Sequence, residues 1–114
     1  MILGVGCDII ELTRLKKREG QLAKRYLFDE EYKVYLKRIN PTEFLAGRLA
    51  AKEAVYKALP PGTVEHFSGI EIKNNENKTY YEDKEHYCFI SISHDKDYAV
   101  AYATCILKQD NQLN

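Results

Sequence analysis

The sequence predicts an α+β fold, a small antiparallel sheet packed on one central helix. Three observations predict it. Residues 2–10 alternate with a period of two, residues 43–59 carry helical periodicity, and residues 87–107 read as two strands about a polar turn. The chain has 114 residues, 45% of them hydrophobic, which suits one domain over 1–114 with one core.

In the first strand Leu3, Val5, Cys7 and Ile9 share one face, and Gly4, Gly6 and Asp8 share the other. The apolar face is expected to be buried, with Cys7 pointing into the core. The two glycines let something approach the backbone closely beside Asp8. Residues 13–26 read as a helix with Thr13 as N-cap and Leu15, Leu22 and Tyr26 as anchors, breakable at Gly20. From 13 to 25 it holds Arg14, Lys16, Lys17, Arg18, Lys24 and Arg25 against the single acid Glu19. A second helix starts at Asp29 as N-cap, with Glu30 and Glu31 in its first turn, and ends before Asn40-Pro41.

Thr42 caps the central helix, Glu43 to Leu59, which Pro60-Pro61-Gly62 stops. Turning about 100° per residue, it gathers Phe44, Leu45, Leu49, Val55, Tyr56 and Leu59 in one sector and only small residues, Gly47, Ala51, Ala54 and Ala58, in a second. Glu53 and Lys57 lie one turn apart on a third. Arg48 and Lys52 lie nearly opposite them. The plain reading of Glu53 with Lys57 is a surface pair worth about 0.3–0.5 kcal/mol. That of Arg48 and Lys52 is stems over apolar surface with heads in water. The sharper reading has the helix present charge to two clefts, which makes most sense in an assembly. Strands follow at 69–73, 79–82, 87–93 and 98–107, with His94 to Asp97 as the hairpin turn. The tail from Lys108 onward is polar and expected to fray.

Composition excludes several classes. Formal net charge is zero, which disfavours a nucleic-acid binder, since the basic run is one helix long. No apolar run approaches the ~18 residues of a membrane span. The short apolar start lacks the basic lead and cleavage site of a signal peptide, so a cytoplasmic protein is expected. Cys7, Cys88 and Cys105 form no CxxC pair and read as ordinary half-buried thiols. His66, His86 and His94 are too dispersed for a zinc site.

Three motifs carry a resemblance. Gly4-Val5-Gly6-Cys7-Asp8-Ile9-Ile10-Glu11-Leu12-Thr13-Arg14 resembles the opening of holo-[acyl-carrier-protein] synthases. Phe44 to Leu59, with Gly47-Arg48-Leu49-Ala50-Ala51-Lys52-Glu53-Ala54, resembles their central helix. Ile90-Ser91-Ile92-Ser93-His94 followed by Tyr98-Ala99-Val100-Ala101 resembles their C-terminal hairpin. The resemblance implies a 4′-phosphopantetheinyl transferase-like, trimer-forming α+β fold with active sites between subunits. Coenzyme A and an apo acyl carrier protein are the implied substrates, as in fatty-acid synthesis. The holo carrier protein and adenosine 3′,5′-bisphosphate are the implied products.

Residue by residue, the resemblance makes Asp8 and Glu53 the Mg²⁺ ligands and puts Lys57 at the pyrophosphate, these three forming the catalytic set. By the same resemblance, Arg48, Lys57, Ser93 and His94 are expected to contact coenzyme A. Arg14 lies on the face receiving the carrier protein, and the basic run adds Lys17, Arg18 and Arg25 to it. The chain departs from the family in a shortened stretch between Asn77 and Asp83, and in Asp95 where Thr is frequent.

The chemistry suits these residue types. A serine hydroxyl attacks the β-phosphorus of coenzyme A. Magnesium is commonly held by one or two carboxylates plus substrate phosphates. Phosphoryl transfer needs positioning and charge stabilisation, and no enzyme nucleophile. Glu53 could accept the serine proton directly or through a metal-bound water, and the sequence leaves both open. A basic docking helix suits an acidic carrier and makes association fast and salt-sensitive. Two other readings compete: a metal-independent protein binding nucleotides or an acidic partner, and a different metal-dependent phosphoesterase such as a nuclease.

Overall fold

The computed structural model describes residues 1–109. The elements are β1 (Ile2–Glu11), α1 (Thr13–Lys16), α2 (Glu19–Tyr26), α3 (Asp29–Lys37), α4 (Pro41–Ala58), a 3₁₀ turn (Phe67–Gly69), β2 (Lys73–Asn75), β3 (Lys78–Glu82), β4 (His86–His94) and β5 (Tyr98–Leu107). The strands form one antiparallel sheet in the order β1-β5-β4-β3-β2, and α4 packs across one face of it.

The face of β1 is the reverse of the expected one. Gly4, Gly6, Asp8 and Ile10 turn toward α4, while Leu3, Val5, Cys7 and Ile9 lie on the exposed outer face. The element that approaches the glycines is the central helix. A Cβ at Gly4 would overlap the Ala58 carbonyl oxygen, and one at Gly6 that of Ala54. The neighbouring strand follows the same rule. Ala99, Ala101, Ala103 and Cys105 on the inner face of β5 are all buried. Small residues on both strands let α4 lie almost on the sheet backbone. The outer face keeps Val5, Ile9, Phe89 and Tyr102 each about half exposed.

The expected first helix is two short ones, broken at Lys17-Arg18 rather than at Gly20. Leu12, not Thr13, precedes α1, and Phe28 precedes α3, where the Glu31 carboxylate accepts the Phe28 N–H at 2.9 Å. Asn40 replaces Thr42 as the cap of α4. Its side chain accepts from the Glu43 N–H, and Pro41 takes the first helical position, where no N–H is needed. Thr42 donates its hydroxyl to Glu19, which also takes the Tyr35 hydroxyl at 2.7 Å, tying α2 to α3 and α4. α4 is buried along most of its length, with Tyr56 and Lys57 exposed and Pro41, Thr42, Glu43 and Glu53 partly so.

Residues 70–72, expected as strand, run as irregular backbone whose polar groups are held by buried side chains. The shortened stretch is a tight β3–β4 hairpin built around Asp83. Its carboxylate accepts from the Glu85 and His86 N–H groups at 2.9 and 2.8 Å and from the Tyr81 hydroxyl at 2.9 Å, and it contacts the His86 ring. Burial pushes the Asp83 carboxyl up, but these donors outweigh it and hold the group below its ordinary range. A depressed carboxyl stabilises the fold above its unfolded pKa of about 3.9 and loses that contribution as pH falls through the lower folded value. Asp83→Asn is therefore expected to lower the melting temperature at pH 7. The gap to the parent should close on acidification below about pH 4.

Cys88 and Cys105 stand opposite each other on β4 and β5, both fully buried, and form a disulfide. This corrects the reading of three independent thiols. Cys7 is the free one, and it is exposed on the outer face rather than in the core. No helix among the described residues is long and apolar enough to cross a membrane. Lys108 is pinned rather than frayed. Its N–H donates to the Glu85 carbonyl at 2.7 Å, and its ammonium pairs with Glu82 at 3.0 Å. The rest of the expected tail, 110–114, lies outside the described residues.

Candidate active site

β1 and α4 bring together three of the expected site residues. Asp8 lies on the inner face of β1 just past the glycines, where the strand runs along α4. Lys57, near the end of α4, donates to the Cys7 carbonyl at 3.0 Å and meets the Asp8 carboxylate at 3.4 Å. One turn earlier, Glu53 joins Asp8 in a cleft of about 390 Å³ with Arg14, Arg18, Leu22 and Tyr26. The Glu53 carboxylate has no hydrogen-bond or ion-pair partner among the described residues, so Glu53 with Lys57 is not the surface pair of the plain reading.

This donor set fits a hard cation that shares its coordination with a substrate. Two carboxylates face one cleft beside a lysine. No group of three or more His, Cys, Asp or Glu able to hold a metal occurs among the described residues. Such a pair suits Mg²⁺, which keeps water and substrate oxygens as ligands, better than a metal needing a full protein cage.

The basic residues are all exposed, but they divide. Arg14 and Arg18 line the carboxylate cleft. Lys17 and Arg25 lie outside its lining, and the Arg25 guanidinium rests over the Tyr26 ring at 5.3 Å.

Arg48 and His94 belong to a second cleft, of about 440 Å³, which shares no lining residue with the first. His94 Nε2 lies 3.1 Å from the Glu43 carbonyl, and Gly47 makes room for its ring. Arg48 Nη1 donates to the Ile72 carbonyl at 2.7 Å. With its amide turned to satisfy its neighbours, Asn74 accepts from Arg48 Nη2 at 3.1 Å. Ser93 does not join them. On β4 its side chain alternates with those of Ile92 and His94 and faces off the outer side of the sheet.

The heads of Arg48 and Lys52 do not reach water as the plain reading had it. Arg48 is 5% exposed and Lys52 is fully buried. Lys52 donates to Glu31 at 2.7 Å and to the Ile70 carbonyl. Burial pulls both cations below their ordinary pKa values, and Glu31 works against that pull. Sequence reasoning missed Lys37 and Arg38, which line the second cleft with Arg48. The signal was present as two adjacent basic residues just before the cap of α4. Arg38 and Arg48 each place a guanidinium 4.9 Å from the Phe44 ring centre, so two like charges crowd one ring beside an open cleft. An anion bound there relieves that repulsion.

The model of the 4′-phosphopantetheinyl transferase superfamily matches residues 4–103, and the chain belongs to that family. Within it, the chain groups with the holo-[acyl-carrier-protein] synthases. It is 44% identical over 110 residues to the holo-[acyl-carrier-protein] synthase of Bacillus cereus, and 43% identical over 114 residues to that of Anoxybacillus flavithermus. Each match covers 89% of this chain and 92% of the relative. A Bacillus anthracis holo-(acyl-carrier-protein) synthase, solved in complex with CoA (3′,5′-ADP), superimposes with a TM-score of 0.81 at 39% identity. That match covers 96% of this chain and 99% of the other. The chain is accordingly an enzyme of the phosphopantetheinyl transferase class.

Proposed function

We propose that this enzyme transfers 4′-phosphopantetheine from coenzyme A to a serine of apo acyl carrier protein, with Mg²⁺, and releases adenosine 3′,5′-bisphosphate. The observation that carries the reading is the meeting of Asp8, Glu53 and Lys57 where β1 crosses α4. Asp8 and Glu53 would hold the metal, which when bound supplies charge neutralisation on the pyrophosphate. Lys57, half exposed beside Asp8, offsets charge on the departing nucleotide phosphate. Glu53, without a hydrogen-bond or ion-pair partner among the described residues, takes the serine proton directly or through water. Arg14 and Arg18, on the rim of the same cleft, receive the acidic carrier, with Lys17 and Arg25 extending the basic face.

The nucleotide half of coenzyme A falls to the Arg48–His94 cleft, where Lys37 and Arg38 add positive charge. One subunit keeps that cleft apart from Asp8, so the complete site forms between subunits of a homotrimer. The apolar outer face of the sheet, with Val5, Ile9, Phe89 and Tyr102, is the surface for that assembly. Ser93 reaches coenzyme A only across such an interface. The test is release of adenosine 3′,5′-bisphosphate that requires apo carrier protein and stops on adding EDTA, with sedimentation at trimer mass. A monomer that turns over fully removes the shared-site reading.

Gly47→Ala isolates the role of His94. A Cβ there would sit 2.8 Å from His94 Nε2 and 3.1 Å from Ile92 Cγ2. Alanine also favours the helix by about 1 kcal/mol over glycine. The two effects offset in stability. The expected result is a nearly unchanged melting temperature with coenzyme A binding weakened about tenfold by calorimetry.

A further inference from the structure

Glu31 lies in the first turn of α3, outside both β1 and α4, yet it is 4% exposed and fully engaged. Its Oε1 accepts from the Phe28 N–H at 2.9 Å and from Lys52 Nζ at 2.7 Å. Its Oε2 accepts from the Ile72 N–H at 3.3 Å and stands 3.8 Å from Arg48 Nη1. The other side of residue 72 completes a chain. The Ile72 carbonyl takes the Arg48 guanidinium at 2.7 Å, and Lys52 holds the Ile70 carbonyl in the same segment.

Two consequences follow from charge and geometry. Segment 70–72 has no strand partner, so these side chains hold it against α4. The buried group carries two cations, Arg48 and Lys52, against Glu31, with Glu71 acting on both from the edge of one cleft. Burial disfavours both charges, and an anion near Arg48 would offset that cost further. Arg48 borders two clefts, and their linings decide which one takes the anion. One holds Glu30, Glu31 and Glu71 as well as Lys73. The other holds Lys37, Arg38 and His94 against Glu43 alone. The guanidinium has five N–H donors, and its bonds to Ile72 and Asn74 leave others for a ligand phosphate.

We propose that Glu31 is a positioning residue for coenzyme A binding, fixing through Lys52 and residues 70–72 the orientation in which Arg48 meets a phosphate. This rests on the coenzyme A reading of the Arg48–His94 cleft. Glu31 touches no ligand and acts through Arg48, so its contribution must vanish when Arg48 is gone.

The experiment is a double-mutant cycle on the full chain, with coenzyme A dissociation constants measured by calorimetry for the parent, Glu31→Gln, Arg48→Gln and the double variant. The expected result is about tenfold weaker binding for Glu31→Gln, no further loss in the double variant beyond Arg48→Gln, and a rise in KM for coenzyme A without a matching fall in kcat. A purely structural role would instead add its effect to that of Arg48→Gln. If Glu31→Gln does not fold, Glu31→Gln with Lys52→Met removes the buried pair together and is expected to show the same weakening. Additive effects, or binding within twofold of the parent in a folded Glu31 variant, overturn the proposal. A parent that binds no coenzyme A overturns the reading of the cleft itself, and a parent whose binding is indifferent to Arg48→Gln overturns the positioning role alone.

Discussion

Asp8→Ala and Glu53→Ala are each expected to lower turnover by about 10³-fold or more, with melting temperatures close to the parent. The two halves of that result have separate causes. Turnover falls because each variant leaves one carboxylate where two face a single cleft, and phosphoryl transfer draws nearly all its rate from such placed charge. Stability holds because neither carboxylate supports the core. Glu53 has no hydrogen-bond partner among the described residues, and Lys57, left without Asp8, is half exposed and readily solvated. Steady-state kinetics alongside thermal melts checks both halves. Retained turnover in either variant would remove the metal assignment.

Gly6→Ala is expected to destabilise the fold by more than about 4 kcal/mol, or to prevent folding altogether. The Cβ would meet the Ala54 carbonyl oxygen and carbon, which are backbone atoms of α4 with no rotamer to yield. Relief requires β1 and α4 to separate, and that separation opens the core along Ala54, Ala58 and the alanines of β5. It also moves Asp8 away from Lys57. Gly20→Ala supplies the contrast. A Cβ there meets nothing within 4 Å, and alanine favours α2, so a gain of up to about 1 kcal/mol is expected. Chemical denaturation of both variants distinguishes a close-approach glycine from a dispensable one.

The strand was readable over residues 2–10 from alternation, but its buried face was not. Apolar side chains normally mark the core side, and here Val5 and Ile9 occupy the outer face. The glycines were the better guide, since a helix of small residues needs a bare strand to lie on. The disulfide was also within reach. A hairpin that pairs His94 with Ala99 across residues 95–98 places Cys88 and Cys105 each six positions from that pair, and therefore opposite each other. Reading spacing for CxxC alone passes over that relation.

Glu31 was hidden for a different reason. An acid in the first turn of a helix already has an explanation in the helix dipole, so nothing in its local sequence asks for a partner. Lys52 held the usable signal. It lies on a helix whose other faces are apolar or small, which leaves its ammonium few routes to water and makes a buried acid necessary. Which acid meets it depends on how α3 docks, and that is set by contacts far apart in sequence.

Whether Asp8 and Glu53 form one phosphoryl-transfer site is tested most directly by the mass of an apo acyl carrier protein incubated with the enzyme, coenzyme A and Mg²⁺. The predicted result is a gain of one phosphopantetheine on a serine, absent with EDTA and absent with Asp8→Ala. An unchanged carrier mass with the parent enzyme, or an equal gain with Asp8→Ala, would contradict it.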